Sequence, residues 1–510
     1  MAGAAVTAVA AKTVDYADVQ GVVRFGYRHL TEACYLLLRV RDAAAARAWL
    51  RDAPVSSALE LAEPPKSALQ VAFTAHGLRA LGVPEPVVSD FSLEFVSGMA
   101  GDESRSRRIG DVGANAPSGW RWGAGEHGVD AMVMLFAVPG HLDEVERNVK
   151  TPAFEAAFSV ERRLDTNDLG GIEPFGFVDG ISQPKPDWDR TRSAAGDQLD
   201  YSNVVALGEI LLGYPNEYTK YTERPLVDDD AASAALARAA DVPAKKDVGL
   251  NGTYLVVREL EQDVRGFRQF VEAHARDAGL EPPALAAALV GRTYEGLSAV
   301  PTSTVPIAGT GPNADEIRLN RFTYDGDPLG VQCPVGSHVR RANPRNADYA
   351  GRPAGILARL IALLGFGAHG YRDDVMSPAR FHRILRRGRE YGPGLAPADA
   401  LQPAPPGDPK RGLHFMCVNA NISRQFEFLQ NAWAMSTKFD CLTAESDPLL
   451  GNREPIAGCP VTGGFTIPRD GAVRGRVAGI PQFVTVRGGA YFFLPSLRAL
   501  RYFAGIGASS

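Results

Sequence analysis

The chain reads as an α+β protein built from two similar units. Three observations predict this. Strand-like apolar runs followed by helical stretches recur in both halves of the 510 residues. No G-x-G-x-x-G follows a strand, so a doubly wound dinucleotide-binding sheet has little support. The 53 Gly and 36 Pro imply long loops between short elements rather than a helical bundle. A chain of this length also exceeds what one hydrophobic core usually organises.

Residues 33–41 (ACYLLLRVR) form an apolar β-like run, followed by an alanine-rich helix over 43–52. Residues 67–73 (SALQVAF) read as a strand, and Thr74 is placed to cap a short helix over 74–81. Residues 130–138 are strand-like and 142–149 helical. In the second half, a strand over 252–258 precedes a helix over 264–275. A strand over 412–419 precedes a helix over 422–433. Residues 483–486 and 490–494 read as a strand pair joined by a Gly-Gly turn, and the tail RYFAGIGASS as a frayed end. The parse is a flexible arm over 1–20, one unit over 21–235 and a second over 236–510.

The net charge, 54 − 59 = −5, argues against an electrostatic nucleic-acid binder. The five cysteines are odd in number, widely spaced and contain no C-x-x-C. That disfavours a disulfide framework, a zinc ribbon and covalent C-x-x-C-H haem attachment. The apolar N-terminus lacks a basic flank, and no apolar run reaches the roughly 20 residues of a membrane span. The expectation is a cytoplasmic protein without a membrane or nucleic-acid partner.

Three segments could carry chemistry. In residues 176–184 (GFVDGISQP), Asp179 stands between apolar residues and a Gly. It is either a surface Asp-Gly turn or a carboxylate in an apolar pocket, poised to move protons. In residues 333–345 (CPVGSHVRRANPR), His338 is either a structural histidine or an axial ligand to haem iron, with Arg345 pairing a propionate. Residues 381–393 (FHRILRRGREYGP) are either a solvated basic edge or a segment that turns one Arg inward as an electrophilic stabiliser.

Together the three segments resemble the dye-decolourising (DyP-type) haem peroxidases, longer bacterial type. The G-x-x-D-G signature stands at 176–180, H-x-R-x-x-N-P-R at 338–345, and R-R-G-x-x-Y-G at 386–392. Residues 108–111 with Trp120 and Trp122, residues 212–218 and residues 251–262 also look like family stretches. The resemblance implies two ferredoxin-like domains with one non-covalent haem b per chain between or beside them. It implies His338 as proximal iron ligand, Asp179 and Arg386 as distal catalytic residues, Arg345 at a propionate, and Leu413 and Phe415 on the distal wall. Arg387 remains an alternative to Arg386, because an insertion over 348–374, with an apolar helix over 356–366, separates the motifs. His382 is an alternative ligand that would share a helical face with Arg386. His414 would point away from the Leu413 and Phe415 face of a strand.

The implied activity is reduction of hydrogen peroxide with one-electron oxidation of dyes, phenols or other aromatic reductants. The alternative is a haem-binding, iron-handling protein with little turnover. An aspartate shuttle with an ordinary pKa near 3.9 implies an acidic optimum. Assembly into a homo-oligomer is left open.

Overall fold

The computed structural model describes residues 14–190, 203–297, 322, 324, 326–345, 378–455 and 461–507. The insertion over 348–374, with its apolar helix over 356–366, lies outside the described residues.

Nine strands make one antiparallel sheet. They are β1 (Glu32–Val40), β2 (Ser67–Phe73), β3 (Ala131–Ala137), β4 (Phe158–Asp165), β5 (Thr253–Gln262), β6 (Leu385–Arg386), β7 (Arg389–Tyr391), β8 (Gly412–Asn419) and β9 (Val484–Leu494). The spatial order is β6-β8-β5-β9-β2-β3-β1-β4, and β7 also pairs with β8. Each half therefore places its second, third, first and fourth strands side by side, which is the ferredoxin-like order. The halves meet where β9 pairs with β2 through Phe493 and Phe73.

The strands are apolar on both faces because both faces are covered. Cys34, Leu36 and Leu38 of β1 pack into one core, and Tyr35 and Leu37 into the other. On the first face lie α1 (Ala43–Asp52), α2 (Ala75–Ala80), α3 (Val264–His274), α4 (Pro282–Val290) and, further along the chain, α5 (Leu497–Gly505). Their starts are fixed locally. Asp42, Thr74, Asp263 and Ser496 accept backbone N–H groups of the first turns of α1, α2, α3 and α5. The second face is covered by Val19–Leu30 and the segment around Leu207–Tyr214.

Five expectations are corrected. Residues 14–20 are not a loose arm. Asp18 accepts the backbone N–H groups of Leu497 and Arg498, and the Gln20 amide bonds Val71 and Pro495. Residues 501–507 of the tail are likewise packed, since Tyr502 and Phe503 of α5 are buried. Strand β5 runs past Arg258 to Gln262 because the charges beyond it are neutralised. Glu259 accepts from Trp122 at 2.9 Å and Arg121 at 2.7 Å, and Glu261 pairs with Arg121, Arg487 and Lys410. The supposed Gly-Gly turn is a bulge inside the single strand β9, between Val486 and Gly488. There the missing side chain of Gly488 admits the Trp122 indole. The helix expected over 422–433 is built of wider π turns, Ser423–Glu427 and Leu429–Met435.

A Cβ on Gly488 would collide with the buried Trp122 ring. Gly488→Ala is therefore expected to cost about 1–3 kcal/mol of stability. An unchanged urea midpoint would contradict this packing.

Candidate active site

Asp179 lies on the segment that leaves the N-terminal half after β4. Its backbone N–H donates to the Gly171 carbonyl at 2.9 Å. Gly176 (φ +104°) and Gly180 (φ +74°) turn the chain on either side, in the backbone region that favours glycine. Asp179 Oδ1 accepts from the Gly180 N–H at 2.6 Å and from Arg386 Nη1 at 2.9 Å. Arg386 belongs to the edge strand β6, whose position is set from the same loop. Its backbone N–H donates to Gln183 Oε1 at 3.0 Å, and Nη2 donates to the Ser182 carbonyl at 3.2 Å. Burial favours a neutral Asp179, but the Arg386 charge and the Gly180 N–H prevail and hold its pKa below the ordinary carboxylate value.

The two side chains keep 35% of their surface accessible and face an open cleft of about 1390 Å³. Leu413 and Phe415 of β8 line the same cleft. Arg387, the alternative to Arg386, also borders the cleft, but its guanidinium is spent on backbone carbonyls. It donates to the Val22 and Val23 carbonyls at 2.6 and 2.7 Å.

His338 opens a short helix, α-helical over His338–Ala342, and does not line that cleft. Its Nδ1 meets Asp447 at 2.9 and 3.1 Å, and 25% of its side chain is accessible. Nε2 has no hydrogen-bond partner among the described residues. Burial opposes charge on the ring, but Asp447 outweighs it and raises the pKa. Arg341 braces the helix through the carbonyls of Gly336, Trp433, Ser436 and Glu445. Asn343 reaches Ser182 at 3.4 Å, so the His338 segment abuts the loop that carries Asp179. His338 and Asp179 also lie within reach of each other's charge. Arg345 is buried, lies 3.9 Å over the Phe322 ring and donates to the Phe322 carbonyl at 3.2 Å. Burial pushes its pKa down to about 10.

The other two candidate histidines, His382 and His414, have structural partners. His382 ends a tight turn over Pro378–His382, whereas Arg386 is in a strand, so they share no helical face. Its ring stacks on Phe428 at 3.5 Å and its Nδ1 meets the Arg424 carbonyl. His414 stacks on Tyr391 and meets the Asp165 carbonyl. Sequence reasoning missed Asp447. It lies 109 residues from His338 in an ordinary Ser-Asp-Pro turn, where no local signal marks it.

The donor set fits haem. An imidazole with one nitrogen held by a carboxylate and the other free suits iron. A partly accessible acid–arginine pair faces a cleft with an apolar wall.

No protein-family model matches the chain. It is 30% identical over 456 residues to a multifunctional dye peroxidase of an Amycolatopsis species, covering 85% of this chain and 81% of that protein. It is 27% identical over 521 residues to a dye-decolourising peroxidase of Auricularia auricula-judae, covering 96% and 87%. The solved structure of a DyP-type peroxidase from Anabaena superposes with a TM-score of 0.68 at 23% identity, covering 96% and 94%. These relatives make the chain a haem peroxidase, an oxidoreductase that uses hydrogen peroxide. The chain belongs to the dye-decolourising peroxidases. Among the described residues no helix is long and apolar enough to cross a membrane.

The ion pair makes a checkable demand. Without Arg386, only the Gly180 N–H and the His338 charge oppose burial, so Arg386→Ala should raise the Asp179 pKa. The protonated carboxyl should then persist to higher pH in an infrared titration. An unshifted signal would mean that Arg386 does not govern Asp179.

Proposed function

We propose that Asp179 and Arg386 form the peroxide-activating pair and that His338, held by Asp447, is the iron ligand. The supporting observation is the 2.9 Å Asp179–Arg386 contact facing a cleft walled by Leu413 and Phe415. When bound, haem supplies the iron that takes up peroxide and the porphyrin that helps hold its oxidising equivalents.

The chain's residues do the rest. Ionised down to low pH, Asp179 takes a proton from one peroxide oxygen and returns it to the other, which general-base geometry allows. Arg386 stabilises charge on the departing oxygen. Leu413 and Phe415 exclude bulk water from one side. Asp447 fixes the His338 tautomer, with Nδ1–H donating to the carboxylate, and makes Nε2 a more basic ligand. Arg345 is the residue for a propionate, since guanidinium binds carboxylate bidentately.

The cofactor is haem b, one per chain and held without a covalent link, in keeping with the missing C-x-x-C-H. The reductant is a small aromatic molecule. A solved relative of this fold binds 2,6-dimethoxyphenol, and the cleft exceeds the roughly 300–1,000 Å³ of ordinary small-ligand pockets. The compartment is cytoplasmic. Cys34, Cys333, Cys417 and Cys441 are unpaired thiols, as a reducing environment would leave them. Haem storage alone would need neither a paired acid nor a distal arginine.

Asp179→Asn should bind haem with an unchanged Soret band yet react with peroxide about 10²–10⁴-fold more slowly in stopped flow. An unaltered rate would refute the shuttle. Asp447→Asn should weaken haem affinity about 10–100-fold through the loosened imidazole. Equal affinity by haem titration would remove Asp447 from the ligand's support.

A further inference from the structure

A second carboxyl group lies beneath the loop that carries Asp179, and the reaction as derived does not use it. Glu173 Oε1 accepts the Phe177 N–H at 3.0 Å. Its Oε2 accepts the Phe175 N–H at 3.0 Å and Gln262 Nε2 at 2.8 Å. The Glu173 backbone N–H donates to the Phe177 carbonyl at 2.9 Å, and its carbonyl accepts from Gly176 at 2.7 Å. The side chain therefore holds a closed turn two residues before Asp179. Arg268 and Tyr294 clasp that turn from outside. Arg268 donates to the Phe175 carbonyl at 2.6 Å, and Tyr294 stacks on Phe177 at 4.3 Å.

We propose that Glu173 is a positioning residue for the peroxide reaction: uncharged, it holds the turn that aims Asp179, and its ionisation shuts the reaction down on the alkaline side. This rests on Asp179 being the proton shuttle.

The argument is electrostatic as well as geometric. Two neighbouring carboxylates on one partly buried turn repel each other when both are charged. Asp179 has Arg386 at 2.9 Å and takes the charge. Glu173 makes no ion pair among the described residues. Every group facing it leaves it so. Gln262 of β5 is neutral. Arg268 of α3 is committed to the Phe175 carbonyl and lies 4.2 Å over the Tyr294 ring. Tyr294 has a raised pKa from burial and stays neutral. His338 is already paired with Asp447. The Phe177, Gln262 and Phe175 donors favour the carboxylate, but burial outweighs them and, with the Asp179 charge, pushes the Glu173 carboxyl up to about 7.

Gln262 suits either protonation state. Its Oε1 is buried and has no hydrogen-bond partner among the described residues. A half-turn of the amide exchanges donor for acceptor, so Gln262 can donate to the carboxylate or accept from the acid.

A base such as Asp179, once ionised, stays ionised as pH rises, so it generates no alkaline limb. Ionised Glu173 does. It places a second negative charge beside Asp179, raises the cost of the working anion and competes for the field of Arg386.

The test compares the haem-loaded protein with Glu173→Gln, which keeps the size and an acceptor oxygen. The readout is the ratio of the second-order peroxide rate constants at about pH 8 and pH 5. In the unaltered protein the ratio should be at most about one third, and in Glu173→Gln it should rise towards one. The same low ratio in both proteins would overturn the proposal. Infrared titration of the haem-free protein gives an independent readout. Other buried carboxyls such as Asp111 and Glu427 also titrate high, so the readout is the difference between the two proteins, which should hold one carboxylic-acid C=O band lost between about pH 6 and 8. No difference in that range would also overturn it. Should Glu173→Gln fail to fold, Gln262→Leu removes one donor to the charged form. It should move the alkaline inflection upward by about half a unit or more, and an unmoved inflection counts against Glu173. If Asp179→Asn reacts at the full rate, the shuttle reading fails. If Asp179→Asn is slow while Glu173→Gln keeps the alkaline limb, only the present inference fails.

Discussion

Arg386 and Asp179 stand 207 residues apart in the chain and 2.9 Å apart in space. A carboxylate and a guanidinium held partly out of water need partners, because desolvation penalises an unpaired charge. That requirement ties the loop after β4 to the edge strand β6. Everything around the contact serves it. Gln183 and Ser182 fix the strand from the loop side. Asn167 bonds Glu390 and Gly392, closing the same seam further along.

Arginines elsewhere act as staples rather than as a charged edge. Arg387 and Arg389 spend their donors on the backbone carbonyls of residues 22–24 and on those of Tyr27, Leu30 and Thr31. They thereby press the N-terminal segment over the second face of the sheet. Arg341 does the same for the His338 helix, and Arg340 pairs with Asp327 at 3.0 Å. Five planar donors per side chain suit this work, since buried carbonyls need partners that a lysine would supply less completely. One basic run thus supplies both an arginine paired with Asp179 and two that staple the backbone, and only their surroundings separate them.

Much of the fold was legible. The runs 67–73 and 412–419 are strands to the residue, and 43–52 and 142–149 are helices to the residue, because apolar period and capping residues act locally. The Gly488 bulge and the extension of β5 were not legible. A glycine pair is a turn signal until Trp122 arrives from more than 360 residues away, and R-E-L-E-Q looks polar until Arg121 neutralises it.

The site divides in the same way. Asp179, His338 and Arg386 could be nominated from sequence because each sits in a short motif whose residue types suit its chemistry. Asp447 and Glu173 could not, because each is an ordinary carboxylate whose meaning depends on its neighbours. Residue type and spacing determine what a side chain can do. Folding determines which atoms it meets and how dry the meeting is, and a proton's affinity depends on that environment. Hence Asp179 is held ionised, Glu173 is pushed up to about 7, and one ring nitrogen of His338 is bound while the other is left open.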